Sequence, residues 1–321
     1  MKKSLIIFSK YFITFGAIGY LVFMNKIDFS KIGSIFYYWP SLLAVICIMA
    51  IVIFIDVFRL HILLKAQSVR IPYRKLVFLS YIGLFFNIAI PGGVSGDIIK
   101  SYYLSKAQEI KMARITTTVF FDRAIGLMGL LVISSTGIVI NYGQIKRMPH
   151  LIVLSNFVII SIVVGIIAFW ILLSEKLNNI GIWKRTVNRF KIIGNCYEAV
   201  HIYKHFKKTL IIALLISLFS NTCNVFLGYT VGKILGENVL SLAHYFFVIP
   251  LGLVSYMLPI TPLGIGVSQA IFSILFDWAR RDSSTIGANI AAVIQVSLVS
   301  LSLLGAIFYL RYKSKLPNYK G

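Results

Sequence analysis

The sequence predicts an all-α polytopic membrane protein, and three observations carry that prediction. The 321 residues are 58% hydrophobic and only 13% charged, with a mean hydropathy of +0.86, whereas soluble chains carry about 25% charged residues. Apolar stretches of about 20 residues, enough to cross a bilayer, recur along the chain. Two further apolar stretches stop at Pro/Gly-rich breaks instead of charged loops.

In chain order, six full spans are expected at 4–24, 41–58, 115–140, 151–173, 209–231 and 285–310. The opening Met1-Lys2-Lys3 resembles a signal peptide. Lys10 interrupts the apolar run, however, and no small-x-small cleavage site follows, so 4–24 reads as a retained span. Segments 76–90 and 241–258 end in the breaks Pro91-Gly92-Gly93-Val94-Ser95-Gly96-Asp97 and Pro259-Ile260-Thr261-Pro262-Leu263-Gly264-Ile265-Gly266-Val267-Ser268-Gln269. Each break opens a shorter helix, expected at 97–106 and 266–278. At 1.5 Å per residue neither reaches across about 30 Å of hydrocarbon. Backbone that is neither helix nor closed barrel cannot face lipid, so such breaks are expected to line a cavity. The alternative is two ordinary paired spans with turns at the surface, since Pro and Gly are common turn residues.

The charge balance, 32 basic against 10 acidic residues for a net +22, would suggest nucleic acid in a soluble protein. Here the basic residues sit between hydrophobic spans, so topology explains them and no nucleic-acid partner is expected. With a cytoplasmic N-terminus, 24 of the 32 Lys and Arg fall inside. Lys26, Lys31, Lys146, Arg147, Lys233, Arg280 and Arg281 fall outside, and Arg123 lies within a span. The positive-inside rule then puts both termini on the cytoplasmic side of the cytoplasmic membrane. It also makes the hairpin at 76–113 enter and leave from inside and the hairpin at 241–282 from outside. Two opposed broken hairpins are the pattern of an inverted repeat, in which discontinuous helices present their N-termini to a substrate near the midplane. The chain reads as one domain, 1–321.

The hydrophilic stretch 174–208 holds eight Lys or Arg. It is too small for a catalytic domain and reads as amphipathic helix on the inner surface, with Trp183, Phe190 and Tyr197 at interfacial depth. His201 and His205 share a helix face there without a third ligand, which favours a solvated face over a metal. Cys47, Cys196 and Cys223 are isolated and unpaired in number, indicating neither a disulfide framework nor zinc. No Walker, HExxH or GxSxG motif occurs, so no catalytic residue, metal or cofactor is assigned.

Ionisable groups at membrane depth each cost about 2.5–3.5 kcal/mol on insertion scales. Asp122 and Arg123 stand early in an apolar span, and adjacent helical residues point about 100° apart. They are therefore expected to find partners on other helices. Arg59, three residues after Asp56, either joins a site or snorkels to the interface. Asp97 suits an N-cap or first helical turn. Helix N-termini with free N–H groups, together with Arg59, Lys100 and Arg123, suit a lipid phosphate.

These residues carry a family resemblance. An Arg before Leu60-His61-Ile62-Leu63-Leu64, the run from Asn87 through Pro91, Gly92, Gly93 and Gly96 to Asp97, Asp122-Arg123-Ala124-Ile125-Gly126-Leu127, and Pro262-Leu263-Gly264-Ile265-Gly266-Val267 occur in order. Over nearly its whole length the chain resembles the membrane region of lysylphosphatidylglycerol synthases, a flippase-like family that occurs alone or fused to a soluble enzyme domain. The resemblance implies moving or holding lipids across the cytoplasmic membrane. It departs at Lys100, where the family usually has Arg, a bidentate phosphate reader that Lys is not. It departs again at Ser268-Gln269, where a Glu is common. The soluble aminoacyl-transfer domain lies outside this sequence, so this chain by itself is not expected to make lysylphosphatidylglycerol.

The expected function is therefore binding or translocation of an anionic phospholipid or prenyl-linked saccharide, with membrane lipids as partners. The site is expected at Arg59, Asn87, Pro91, Gly92, Gly93, Gly96, Asp97, Lys100, Asp122, Arg123, Pro262, Gly264, Gly266 and Gln269. Two rivals stay open: an integral glycosyltransferase acting on a polyprenyl-phosphate carrier, and a scaffold for a separate lipid- or glycan-synthesising enzyme. The sequence sets no oligomeric state.

Overall fold

The structure, a computed structural model, describes residues 39–89, 95–173, 202–257 and 264–313, with a few positions outside these runs (16, 18–23, 26, 33 and 261). The expected first span at 4–24, most of the loop 174–208 with Trp183, Phe190, Tyr197 and His201, and Pro91, Gly92, Gly93 and Pro262 lie outside the described residues.

The described residues fold as helices: α1 (Trp39–Ala66), α2 (Tyr73–Ala89), α3 (Ser95–Gln108), α4 (Met112–Ile140), α5 (Tyr142–Ile145), α6 (Pro149–Leu173), α7 (Lys207–Ile234), α8 (Leu242–Val254), α9 (Val267–Arg280) and α10 (Ile286–Lys313). Short 3-10 turns at Ile202–Phe206 and Ser255–Met257 precede α7 and follow α8. Five helices are long and apolar enough to cross a bilayer, at the five expected full spans that the structure describes. The chain is an all-α polytopic membrane protein.

Local chemistry sets the helix ends. After α1, Ser68 takes φ 60° and Val69 N–H donates to Leu64 O at 3.0 Å. After α7, Gly236 takes φ 84° and Glu237 N–H donates to Gly232 O at 2.8 Å. Both are left-handed closures that satisfy the last carbonyls of a helix. In α4 the hydroxyls of Thr117 and Thr118 donate to the carbonyls of Ala113 and Arg114, each at 2.9 Å. These bonds satisfy the two hydroxyls inside an apolar span.

Four helices of the first half correspond to four of the second, α1 with α7, α2 with α8, α3 with α9 and α4 with α10. The contacts among these eight map onto themselves under that exchange. Helix α2 packs on α10 as α8 packs on α4; α1·α2 matches α7·α8, α2·α3 matches α8·α9, and α3·α4 matches α9·α10. Helices α1 and α7, exchanged with each other, pack together. This is the connectivity of a two-fold repeat with swapped hairpins, as the opposed breaks suggest.

The close approaches fall on glycine. A Cβ on Gly96 would run into the carbonyl oxygen of Gly83, so α2 and α3 touch backbone to backbone. A Cβ on Gly137 would meet the α8 backbone at Phe246 and Phe247. The α2–α10 seam is aromatic, with Phe78 and Tyr81 edge-on to Phe308 and Phe86 edge-on to Tyr309.

At the end of 174–208, in the turn Ile202–Phe206, His205 and Phe206 are exposed while Tyr203 is fully buried, stacks on Phe121 and donates its hydroxyl to Leu63 O at 3.0 Å. An aromatic ring with one polar tip suits an interior site as well as an interface when a carbonyl accepts from it.

Candidate functional site

A cavity of about 270 Å³ lies between the two halves, walled by α1 to α4 from the first and by α7, α8 and α10 from the second. Arg59, Asn87, Asp97, Lys100, Asp122 and Arg123, all expected from the sequence, line it together with Asp56. The second half supplies mostly apolar wall, such as Leu253, Met257, Ile294 and Leu298, with Asn221 and Asn224 on α7.

Two ionic triads line this cavity. In the first, Arg59 on α1 donates from Nε to Asp122 Oδ1 at 2.7 Å and from Nη2 to Asp122 Oδ2 at 3.2 Å. Its Nη1 reaches Asp56 Oδ1 at 3.2 Å and Ser217 Oγ at 3.3 Å. This fork-on-carboxylate geometry is the strong form of an Arg–carboxylate pair. Asp56 accepts a further hydrogen bond from Ser220 of α7 at 2.8 Å. Gly126 makes room for the guanidinium, since a Cβ there would stand 3.3 Å from Nη2.

In the second triad Asp97, in the first turn of α3, holds two cations. Lys100 Nζ lies 3.1 Å from Oδ1, and Arg123 donates from Nε and Nη2 to Oδ2, each at 3.0 Å. Asp122 and Arg123 thus find partners on other helices, α1 and α3, as their 100° divergence requires. Arg59 does not snorkel. Helix α1 runs eight residues past the expected end of its span, which leaves Arg59 inside the bundle at 5% exposure and paired to Asp122.

The two helix starts after the breaks are occupied from within the protein. Gly96 N–H donates to Asn87 Oδ1 at 2.8 Å, so the end of α2 caps α3. Gly264 and Gly266 take φ 70° and 85°, which an L side chain resists, and Gly266 N–H donates to Gln269 Oε1 at 2.7 Å. Gly96, Gly264, Gly266 and Gln269 stand outside the cavity wall. The charged side chains at the cavity, not the glycine N–H groups at Gly96 and Gly266, are thus its ionic equipment.

Gln269 belongs instead to a neutral cluster. Its amide donates to Gln295 of α10, and Gln295 donates to Ser268 Oγ at 2.8 Å. The Gln269–Gln295 bond spans 26 residues from the helix after the second break to the following span, as Asp97–Arg123 does after the first. The two halves place the same cross-link at corresponding positions, ionic in one and amide in the other. A carboxylate at 269, only 5% exposed and facing an amide, would lack a cation there.

Sequence reasoning missed Ser217, Ser220, Asn221 and Asn224, which contact the ion pairs or line the cavity. Their spacing of three and four along an apolar span puts them on one helix face, a signal that was readable. Glu237 was also missed. It is fully buried, takes the N–H groups of Val239 and Leu240 at 2.7 and 2.9 Å, and pairs with Arg280. It sits in a loop, where no periodicity marks a buried acid.

The family profile described as Lysylphosphatidylglycerol synthase TM region matches residues 5–314. The chain belongs to this family. It is a multi-pass membrane region with a membrane-lipid-related role. No curated protein and no solved structure matches the chain.

Proposed function

We propose that this protein binds and translocates a phosphate-bearing lipid, an anionic phospholipid or a lipid-linked saccharide, across the cytoplasmic membrane, with both termini inside. The observation that supports this reading is the polar cavity between two exchanged halves, walled by apolar side chains and holding Arg123 and Lys100 around Asp97. Charge at membrane depth persists where it is paired inside a bundle or faces a cavity. Arg123, with its side chain 43% exposed, offers guanidinium N–H groups to a phosphate beyond those held by Asp97.

A shared wall between two halves also suits alternating access, in which one half rocks against the other around a fixed site. The test is transfer of labelled phospholipid between leaflets of vesicles containing purified protein. Wild type is expected to speed transfer, and an Asp97→Ala, Arg123→Ala protein to lose it. Equal transfer by both proteins refutes the site, and no transfer by wild type alongside retained lipid binding moves the protein to the scaffold reading.

A further inference from the structure

The cavity's six charged side chains are three carboxylates and three cations, enough for three one-to-one pairs. They are not arranged that way. Arg59 is shared by two carboxylates, Asp56 and Asp122, while Asp97 is shared by two cations, Lys100 and Arg123. One triad therefore carries a net negative charge and the other a net positive charge.

In each triad the excess sits on the accessible member. Asp122 and Asp97 side chains are 9% and 4% exposed, Arg59 and Lys100 6% and 11%. Asp56 and Arg123, by contrast, are each 43% exposed and line the same cavity. The cavity thus shows a ligand one carboxylate and one guanidinium within a site that is neutral as a whole.

We propose that the ligand is a lipid whose headgroup is itself zwitterionic, carrying one phosphate and one primary amine, with the phosphate on Arg123 and the ammonium on Asp56. This rests on the reading that the cavity takes a phosphate-bearing lipid, and it replaces the anionic headgroup of that reading with a zwitterionic one. A headgroup with net negative charge would bring an unbalanced charge into a low-dielectric, already neutral site. A zwitterion brings none and satisfies both exposed groups. Asp56 is held for the task by Ser220 at 2.8 Å, so its free oxygen is positioned before the ligand arrives. A primary ammonium donates hydrogen bonds to that oxygen; a quaternary one cannot.

The experiment is native mass spectrometry of the purified full chain with equimolar ethanolamine, glycerol and choline phospholipids of matched acyl chains, and with soluble phosphoethanolamine as competitor. The ethanolamine lipid is expected to bind about tenfold tighter than the glycerol and choline lipids, the scale of one charge-assisted hydrogen bond. Asp56→Asn, which keeps the Ser220 acceptor, is expected to bring the ethanolamine lipid down to the level of the glycerol lipid. Equal or tighter binding of the glycerol lipid by wild type overturns the zwitterion and leaves the phosphate reading standing. Binding of none of the three phospholipids overturns both. Displacement by phosphoethanolamine at the lipid's own concentration overturns the lipid as its source. Should Asp56→Asn fail to fold, the wild-type preference decides.

Discussion

Arg59 shows how this bundle tolerates a buried charge. Its guanidinium lies over Gly126, forks onto Asp122 and reaches Asp56 and Ser217, so little of its hydrogen-bonding capacity goes unused. Removing one partner of a buried pair typically costs about 3–5 kcal/mol because the other charge is stranded, while replacing both with apolar groups is often neutral. Asp122→Ala leaves Nε and Nη2 of the buried Arg59 without an acceptor, Asp56 holding only Nη1, and should therefore lower the thermal unfolding midpoint in detergent. The double change Arg59→Met, Asp122→Leu should recover part of that loss, since the remaining Asp56 is half-exposed and keeps its bond from Ser220, and a double variant as unstable as the single would refute the unpaired-donor account. That Asp122 and Arg123 pair with different helices was legible in the sequence, since their side chains diverge on one helix. That Arg59 is the partner of Asp122 was not. Its depth depends on where α1 ends, and the polar residues after the apolar run hid the helix's continuation to Ala66.

The hairpins make the same point for whole elements. Each break is followed by a helix of 14 residues, Ser95–Gln108 and Val267–Arg280, close to what Pro/Gly punctuation and shortness implied. Their caps were not legible: Asn87 serves Gly96 across the break, and Gln269 serves Gly266 from inside α9. A cap drawn from the preceding helix leaves no local sequence signature. Close contact of α2 with α3 rests on Gly96, where a Cβ would strike the Gly83 carbonyl, a backbone atom that cannot swing aside. Gly96→Ala should destabilise by about 1–3 kcal/mol, the usual cost of overpacking, and impair lipid transfer by moving Asp97. Gly143→Ala, where a Cβ meets nothing within 4 Å, should leave the unfolding midpoint unchanged and serves as the control.

Across the molecule, the basic residues and the helix order together predict which loops face which side. In a cysteine-free background, single cysteines at Asn238 and Gln144, both exposed, should react with an impermeant maleimide applied outside intact cells. One at the exposed Lys106 should react only after permeabilisation, and the opposite pattern would invert the topology. The exchange of contacts between halves has a consequence for how the chain is made. Helix α2 finds its main neighbour in α10, and a Cβ on Gly305 of α10 would strike the Tyr81 carbonyl of α2. That partner is the last helix described, so during synthesis the first hairpin leaves the ribosome some 200 residues ahead of the surface that completes it. That seam cannot close until α10 has been made, and a nascent chain stopped before Ile286 should hold its first hairpin open to proteases and to membrane chaperones.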